Sequence, residues 1–259
     1  TMHELPLVFF TVLGSSAAGL FLIAYISKKL GQIDEQQLRN ANILALILML
    51  VGLGIGGLHV GQPLRFFNML LGVGRSPMSN EAFLSGVFTG FAFATVALTI
   101  MKKWRGLREI CNLFTVIFGL AFVWSIPQVY HIPTIANWNT DYTTLQFWMT
   151  LLIGGGVLAM VSGARRLGAL SFIIGAIITF AARSGYVSFL SFNGPELSAE
   201  QSLFWGFQLA VLALGIVVVG FSALKAQTSK VTLATCAAAV VIAELSGRIA
   251  FYNLWHITM

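Results

Sequence analysis

Eight stretches of this chain each run for about twenty residues almost without charge, and that pattern limits the fold more than any other feature. Crossing a hydrocarbon core of about 30 Å takes roughly 20 helical residues. The expected spans cover residues 6–26, 41–59, 81–101, 110–130, 142–161, 169–190, 202–224 and 231–255. Backbone groups in lipid are satisfied only in helices or closed barrels, and these runs are too long and too evenly apolar for barrel strands. The expectation is an all-α integral membrane protein: an eight-transmembrane-helix bundle, one transmembrane domain over residues 1–259. Composition agrees, with 57% hydrophobic and 9% charged residues against roughly 25% charged in soluble domains. A soluble enzyme, a disordered chain and a nucleic-acid binder are excluded. The net charge of +6 is then a property of the loops.

The loops carry an orientation signal. Eleven of the fifteen Lys and Arg follow spans one, three, five and seven: Lys28, Lys29, Arg39, Lys102, Lys103, Arg105, Arg108, Arg165, Arg166, Lys225 and Lys230. The other side has Arg65 and Arg75 in loops, with Arg183 and Arg248 toward that end of their helices. By the positive-inside rule the eleven-charge side is cytoplasmic, and both termini face outward. The first span does not read as a cleaved signal, because Lys28 and Lys29 follow it and its leading flank lacks positive charge. The longest connections, Val60 to Asn80, His131 to Asp141 and Ser191 to Gln201, lie on the outer side. That face is the expected platform for a soluble partner.

All four histidines, His3, His59, His131 and His256, fall near the outer face. Imidazole titrates near neutral pH and can relay protons, but histidines also collect at interfaces because they are amphipathic. His59 stands apart because it opens the segment His59-Val60-Gly61-Gln62-Pro63-Leu64-Arg65. Gly61 and Pro63 can stop a helix and turn the backbone, bringing His59 and Arg65 together. Ser79 or Asn80 can cap the next span, with Glu81 in its first turn, where the helix dipole favours a carboxylate. Glu244 and Arg248 share one face of the last span, which suits an ion pair that fixes packing or a contribution to an outer-face site. Gly52 with Gly56, and Gly154-Gly155-Gly156, permit close helix approach. Pro127 can kink the fourth span. Trp124, Trp138 and Trp255 suit an interfacial belt. Cys111 and Cys236 lack the spacing of a metal or cluster site, so if this protein handles electrons, another chain holds the iron–sulfur chemistry.

Five ordered segments resemble the membrane-anchor subunit of bacterial dimethyl sulfoxide reductase, the DmsC family. They are His3-Glu4-Leu5-Pro6-Leu7, His59 through Asn68, Ser79-Asn80-Glu81, Phe122-Val123-Trp124 with Tyr130, and Glu244 through Arg248 with Phe251-Tyr252. Gln62 departs from the serine of the family pattern. The resemblance implies eight helices with both termini in the periplasm, an orientation that the charge count reaches independently. It implies a multi-pass protein of the bacterial inner membrane, with membrane lipid around it and no nucleic-acid partner. It implies a molybdopterin catalytic subunit and a four-cluster iron–sulfur subunit on the periplasmic face. It further implies menaquinol as bound electron donor, with no haem and no iron–sulfur cluster in this chain. The protein would be non-catalytic for the terminal acceptor while contributing the quinol-oxidising site.

His59 and Glu81 carry over from the family as the catalytic pair of that site. Arg65, Tyr130, Glu244 and Arg248 extend it as quinol-binding residues. In this scheme neutral His59 takes a proton from the quinol hydroxyl, Glu81 receives it or orients the ring, and Arg65 holds Glu81 or a quinone oxygen. Three alternatives stay open, one of them a haem-b quinol oxidase subunit, which a dithionite-reduced visible spectrum would reveal. Another is the anchor of a tetrathionate, polysulfide or selenate reductase. The third is a transporter, which would place polar groups near the midplane.

Overall fold

The computed structural model describes residues 4–60, 72–224 and 228–256, and the side chains of all of these except 58–60. The turn expected at Gly61 and Pro63, Arg65, His3, Lys225 and the side chain of His59 lie outside the described residues. Among those described, nine helices follow one another: α1 (Leu5–Lys29), α2 (Glu35–Val60), α3 (Pro77–Met101), α4 (Arg105–Tyr130), α5 (Asp141–Val161), α6 (Arg165–Asn193), α7 (Pro195–Glu200), α8 (Ser202–Leu224) and α9 (Lys230–Asn253). All but the short α7 are long and apolar enough to cross a membrane. Most outrun the apolar stretches that announced them, because polar first turns continue the helix. At α2, for instance, Asp34 Oδ1 accepts from Gln37 N at 2.8 Å while Gln37 Oε1 accepts from Asp34 N at 3.0 Å. This reciprocal cap starts the helix before its apolar part begins.

Helix α1 is the centre of the bundle. Of its apolar window 83% is buried, against 28% in α8, whose Leu214, Val217 and Phe221 face outward as a lipid-contacting surface should. Lipid tails are as apolar as the side chains, so helix association rests on close van der Waals fit. Glycine supplies that fit. A Cβ at Gly155 would lie 2.6 Å from the Gly19 backbone, and one at Gly156 would lie 2.7 Å from the Gly168 carbonyl and the Phe172 nitrogen. The glycine triplet therefore lets α1 press on one side of α5 and α6 on the other. Gly56 faces the Phe10 side chain of α1 more loosely, a Cβ there lying 3.2 Å away, and at Gly52 a Cβ would make only ordinary contact with Leu13 and Phe10. Around these contacts Phe21, Phe88 and Phe122 interlock with ring centroids 5.7–5.8 Å apart. Pro127 lies inside α4, which continues to Tyr130.

The turns after α1, α3 and α5, and the start of α9, gather the basic residues at one end of the bundle. Glycine permits two of these turns: Gly31 (φ 74°) and Gly163 (φ 110°) occupy the left-handed region. The segments around α3's start, α4's end and α9's end meet at the opposite end.

Candidate functional site

At the end away from the basic turns, the connection 131–140 folds back onto α9. Asn137 Nδ2 donates to the Leu254 carbonyl at 2.9 Å, and Trp138 Nε1 donates to the Phe251 carbonyl at 2.8 Å. The last carbonyls of a helix lack intrahelical donors; Asn137 supplies one to Leu254, and Trp138 adds a second donor to the Phe251 carbonyl, which also accepts from the Leu254 N–H at 3.2 Å. This corrects the assignment of Trp138 to an interfacial belt: it is buried, stacked on Phe251, because its N–H is needed inside. Trp124 and Trp255 are more than half exposed, as a belt requires.

Beneath this strap the Tyr130 and Tyr252 hydroxyls share a hydrogen bond of 2.6 Å. Both are buried, in an aromatic cluster with Phe147 and Phe251. Glu81 of α3 is only 8% exposed and lies within electrostatic range of both hydroxyls. Its helix position differs from the expected one. Ser76 is the N-cap residue of α3 and Pro77 opens the helix, so Ser79 and Asn80 are internal and Glu81 sits in the second turn. Proline's fixed φ and missing N–H suit it to the first helical position, which moves the start back. Asn80 Oδ1 instead accepts from Gly74 N at 2.6 Å, bracing the turn before the helix.

A second set of polar groups runs across four helices. Arg248 Nη2 donates to Thr150 Oγ1 at 2.7 Å, and Thr150 Oγ1 donates to Glu244 Oε1 at 2.9 Å. Gln208 Nε2 donates to Glu244 Oε2 at 2.6 Å, and Arg183 Nη2 donates to Gln208 Oε1 at 3.0 Å. Glu244 and Arg248 are 3% and 2% exposed. They share the α9 face that their spacing implied, but they are joined through the Thr150 hydroxyl. The Arg248 guanidinium also lies 3.9 Å from the Phe147 ring centre. Gly247 makes room for the Gln208 amide, which a side chain there would strike. At about 1.5 Å per residue, Glu244 stands roughly 13 Å inside the end of α9, deeper than an interfacial pair. Each guanidinium reaches the Glu244 carboxylate through an intervening side chain, Arg248 through Thr150 and Arg183 through Gln208. Arg183 Nη1 and Arg248 Nη1 are buried donors without a hydrogen-bond partner among the described residues.

Of the six residues expected in one site, the structure brings Tyr130, Arg248 and Glu81 into one neighbourhood, with Glu244 attached through Thr150. The helical backbone carries His59 to the last turn of α2, at the same end. Arg65 lies outside the described residues. His131 hydrogen-bonds Thr144 at 2.9 Å, and His256 is exposed. Thr150, Gln208 and Arg183 were not anticipated as partners. Gln208 carried a signal, being the single amide of the apolar α8, where an unpaired polar group in lipid is costly. Among the described residues no three His, Cys, Asp or Glu side chains gather as a metal site.

Eight membrane-length helices enclosing paired ionisable groups define a polytopic membrane protein. It belongs to the DmsC family, described as the dimethyl sulfoxide reductase anchor subunit, whose pattern matches residues 1–254. It is 36% identical over 161 residues to the YnfH subunit of an anaerobic dimethyl sulfoxide reductase of Escherichia coli strain K12, covering 61% of this sequence and 56% of that one. It is 34% identical over 157 residues to the C subunit of the anaerobic dimethyl sulfoxide reductase of Haemophilus influenzae, covering 60% and 56%. The match thus spans just over half the length of these two relatives. To the C subunit of the Escherichia coli enzyme it is 30% identical over 279 aligned positions, covering 99% of this sequence and 96% of that one.

Proposed function

We propose that this protein is the membrane-anchor subunit of a periplasm-facing molybdoenzyme of the dimethyl sulfoxide reductase type. It sits in the bacterial inner membrane with both termini in the periplasm, and it oxidises menaquinol at the end of the bundle that carries them. Its partners are an iron–sulfur subunit with four clusters and a molybdopterin catalytic subunit. The named relatives are subunits of dimethyl sulfoxide reductases, which favours that acceptor class over tetrathionate, polysulfide or selenate. The accumulation of Lys and Arg at the opposite end supports the orientation.

One observation carries the reading. A buried carboxyl (Glu81) and a buried hydroxyl pair (Tyr130 and Tyr252) share a neighbourhood with Arg248, which has an unpartnered guanidinium nitrogen, and the backbone of α2 runs through His59 to Val60 at the same end of the bundle. A quinol presents two hydroxyls on an apolar ring, and this neighbourhood offers acceptors, donors and aromatic walls to match. Menaquinol becomes menaquinone by losing two electrons and two protons. His59 accepts the first proton from a hydroxyl, and Glu81 receives it or holds the ring in the accepting tautomer. Arg65 and Arg248 donate to the oxygens, with Tyr130 beside them. Glu244 holds Arg248 in place through Thr150. The electrons pass to the nearest cluster of the iron–sulfur subunit, and the protons leave to the periplasm.

The test is steady-state oxidation of a menaquinol analogue by the assembled complex. A His59→Ala, Glu81→Gln double variant loses at least about 100-fold in rate, the usual contribution of a positioned acid–base group. An unchanged rate in a fully assembled complex overturns the proposal.

A further inference from the structure

The basic end of the bundle holds a feature that quinol chemistry leaves unused. The ends of α1, α2, α3 and α4 enclose a cavity of about 70 Å³. Its rim carries Lys28, Lys29, Arg39 and Arg108 against Glu35 and Glu109, a surplus of two positive charges. Lys28 is engaged with Glu35 at 3.5 Å, Lys29 lies over the Tyr25 ring, and Glu109 pairs outward with Arg105 at 3.7 Å. Arg39 and Arg108 are half-buried, unlike the exposed Lys102, Lys103 and Arg105 nearby, and neither has an ion-pair partner among the described residues.

The floor of the cavity gives the second, independent observation. Asn42 and Asn112 line it from α2 and α4, 3% and 6% exposed. The amide oxygen of each is buried without a hydrogen-bond partner. Buried polar atoms in a native fold are ordinarily satisfied, so two such acceptors facing one polar cavity call for a donor. Guanidiniums at the mouth recognise phosphate. Amide oxygens behind them recognise hydroxyl donors. The cavity has room for a few water-sized groups but not for an acyl tail. Outside it, Ile100, Leu107 and Ile110 are about half exposed and form an apolar wall on α3 and α4.

We infer that this cavity is a headgroup site for an anionic phospholipid whose phosphate is followed by a hydroxyl-bearing group, the acyl tails lying along α3 and α4. Arg39 and Arg108 bind the phosphodiester, and Asn42 and Asn112 accept from the headgroup hydroxyls. Basic pockets between helices on the positively charged side of a membrane protein suit this role. The lipid would tie together the ends of four helices, including the central α1.

Native mass spectrometry of the complex in detergent tests this, with phosphatidylglycerol and phosphatidylcholine of identical acyl tails as probes. The wild type retains one more phosphatidylglycerol than phosphatidylcholine. In an Arg39→Gln, Arg108→Gln variant that binding weakens by roughly 30-fold, the effect of two basic side chains near an anionic surface. A Lys102→Gln, Lys103→Gln variant removes equal charge from the same end outside the cavity and keeps the lipid. Equal retention by the Arg39, Arg108 variant overturns the inference, as does equal loss in the Lys102, Lys103 variant. Displacement of the lipid by millimolar inorganic phosphate also overturns it, because the site is then one for free anions. Melting of each variant in the same detergent separates lost binding from lost fold.

Discussion

Replacing Thr150 with Val keeps the shape of the side chain and removes one hydroxyl, the joint between Arg248 and Glu244. The bond accepted from Arg248 at 2.7 Å goes, and so does the hydroxyl proton that Glu244 at 2.9 Å shares with the Gln146 carbonyl at 3.0 Å. Arg248 already has one buried N–H without a partner, so the variant leaves a second. Glu244 keeps Gln208 at 2.6 Å, which limits its loss. In water-soluble proteins hydrogen bonds to charged groups contribute about 1.5–3 kcal/mol each. Inside membrane bundles the measured average is about 0.6 and the upper end about 1.7, because the unfolded helices also find partners in lipid. The expected destabilisation is therefore roughly 1–3 kcal/mol, read by reversible unfolding in mixed micelles. Thr150→Ser retains the hydroxyl and separates the bridge from packing. It costs less than Thr150→Val. A loss below about 0.5 kcal/mol in Thr150→Val, the range of neutral substitutions, refutes the bridge, as does a Ser variant as unstable as the Val variant.

Helix packing gives a second prediction: Gly155→Ala forces α1 and α5 apart by about 1 Å at the Gly19 backbone and destabilises by about 1–3 kcal/mol or more, the cost of overpacking. Gly54→Ala, with open space around it, is neutral or stabilising by up to about 1 kcal/mol in the same unfolding assay. Trp138→Phe removes the donor to the Phe251 carbonyl and costs about 1–2 kcal/mol; near-ultraviolet circular dichroism reports the loosened aromatic cluster.

Hydropathy alone made the eight spans legible, since a membrane demands length and apolarity and offers loops no place inside. Side-chain partnership was legible only within one helix. The spacing of Glu244 and Arg248 put them on one face, but nothing along the sequence shows that Thr150, about a hundred residues away, lies between them. Trp138 read as an interfacial ring because its bond to a carbonyl of α9 depends on how 131–140 folds back. The position of Glu81 slipped by a turn because Pro77 starts α3 before the apolar run begins. The glycine triplet was legible as a packing device, while its two neighbours, α1 and α6, emerged only in the bundle.

Quinol oxidation at the periplasmic end of the bundle is the central claim. Titration of a fluorescent quinol-site inhibitor into membranes holding the assembled complex tests it most directly, comparing wild type with His59→Ala and Glu81→Gln. The account predicts saturable binding in the wild type and its loss in both variants with assembly intact. Unchanged binding in both contradicts it and moves the site away from the ends of α2 and α3.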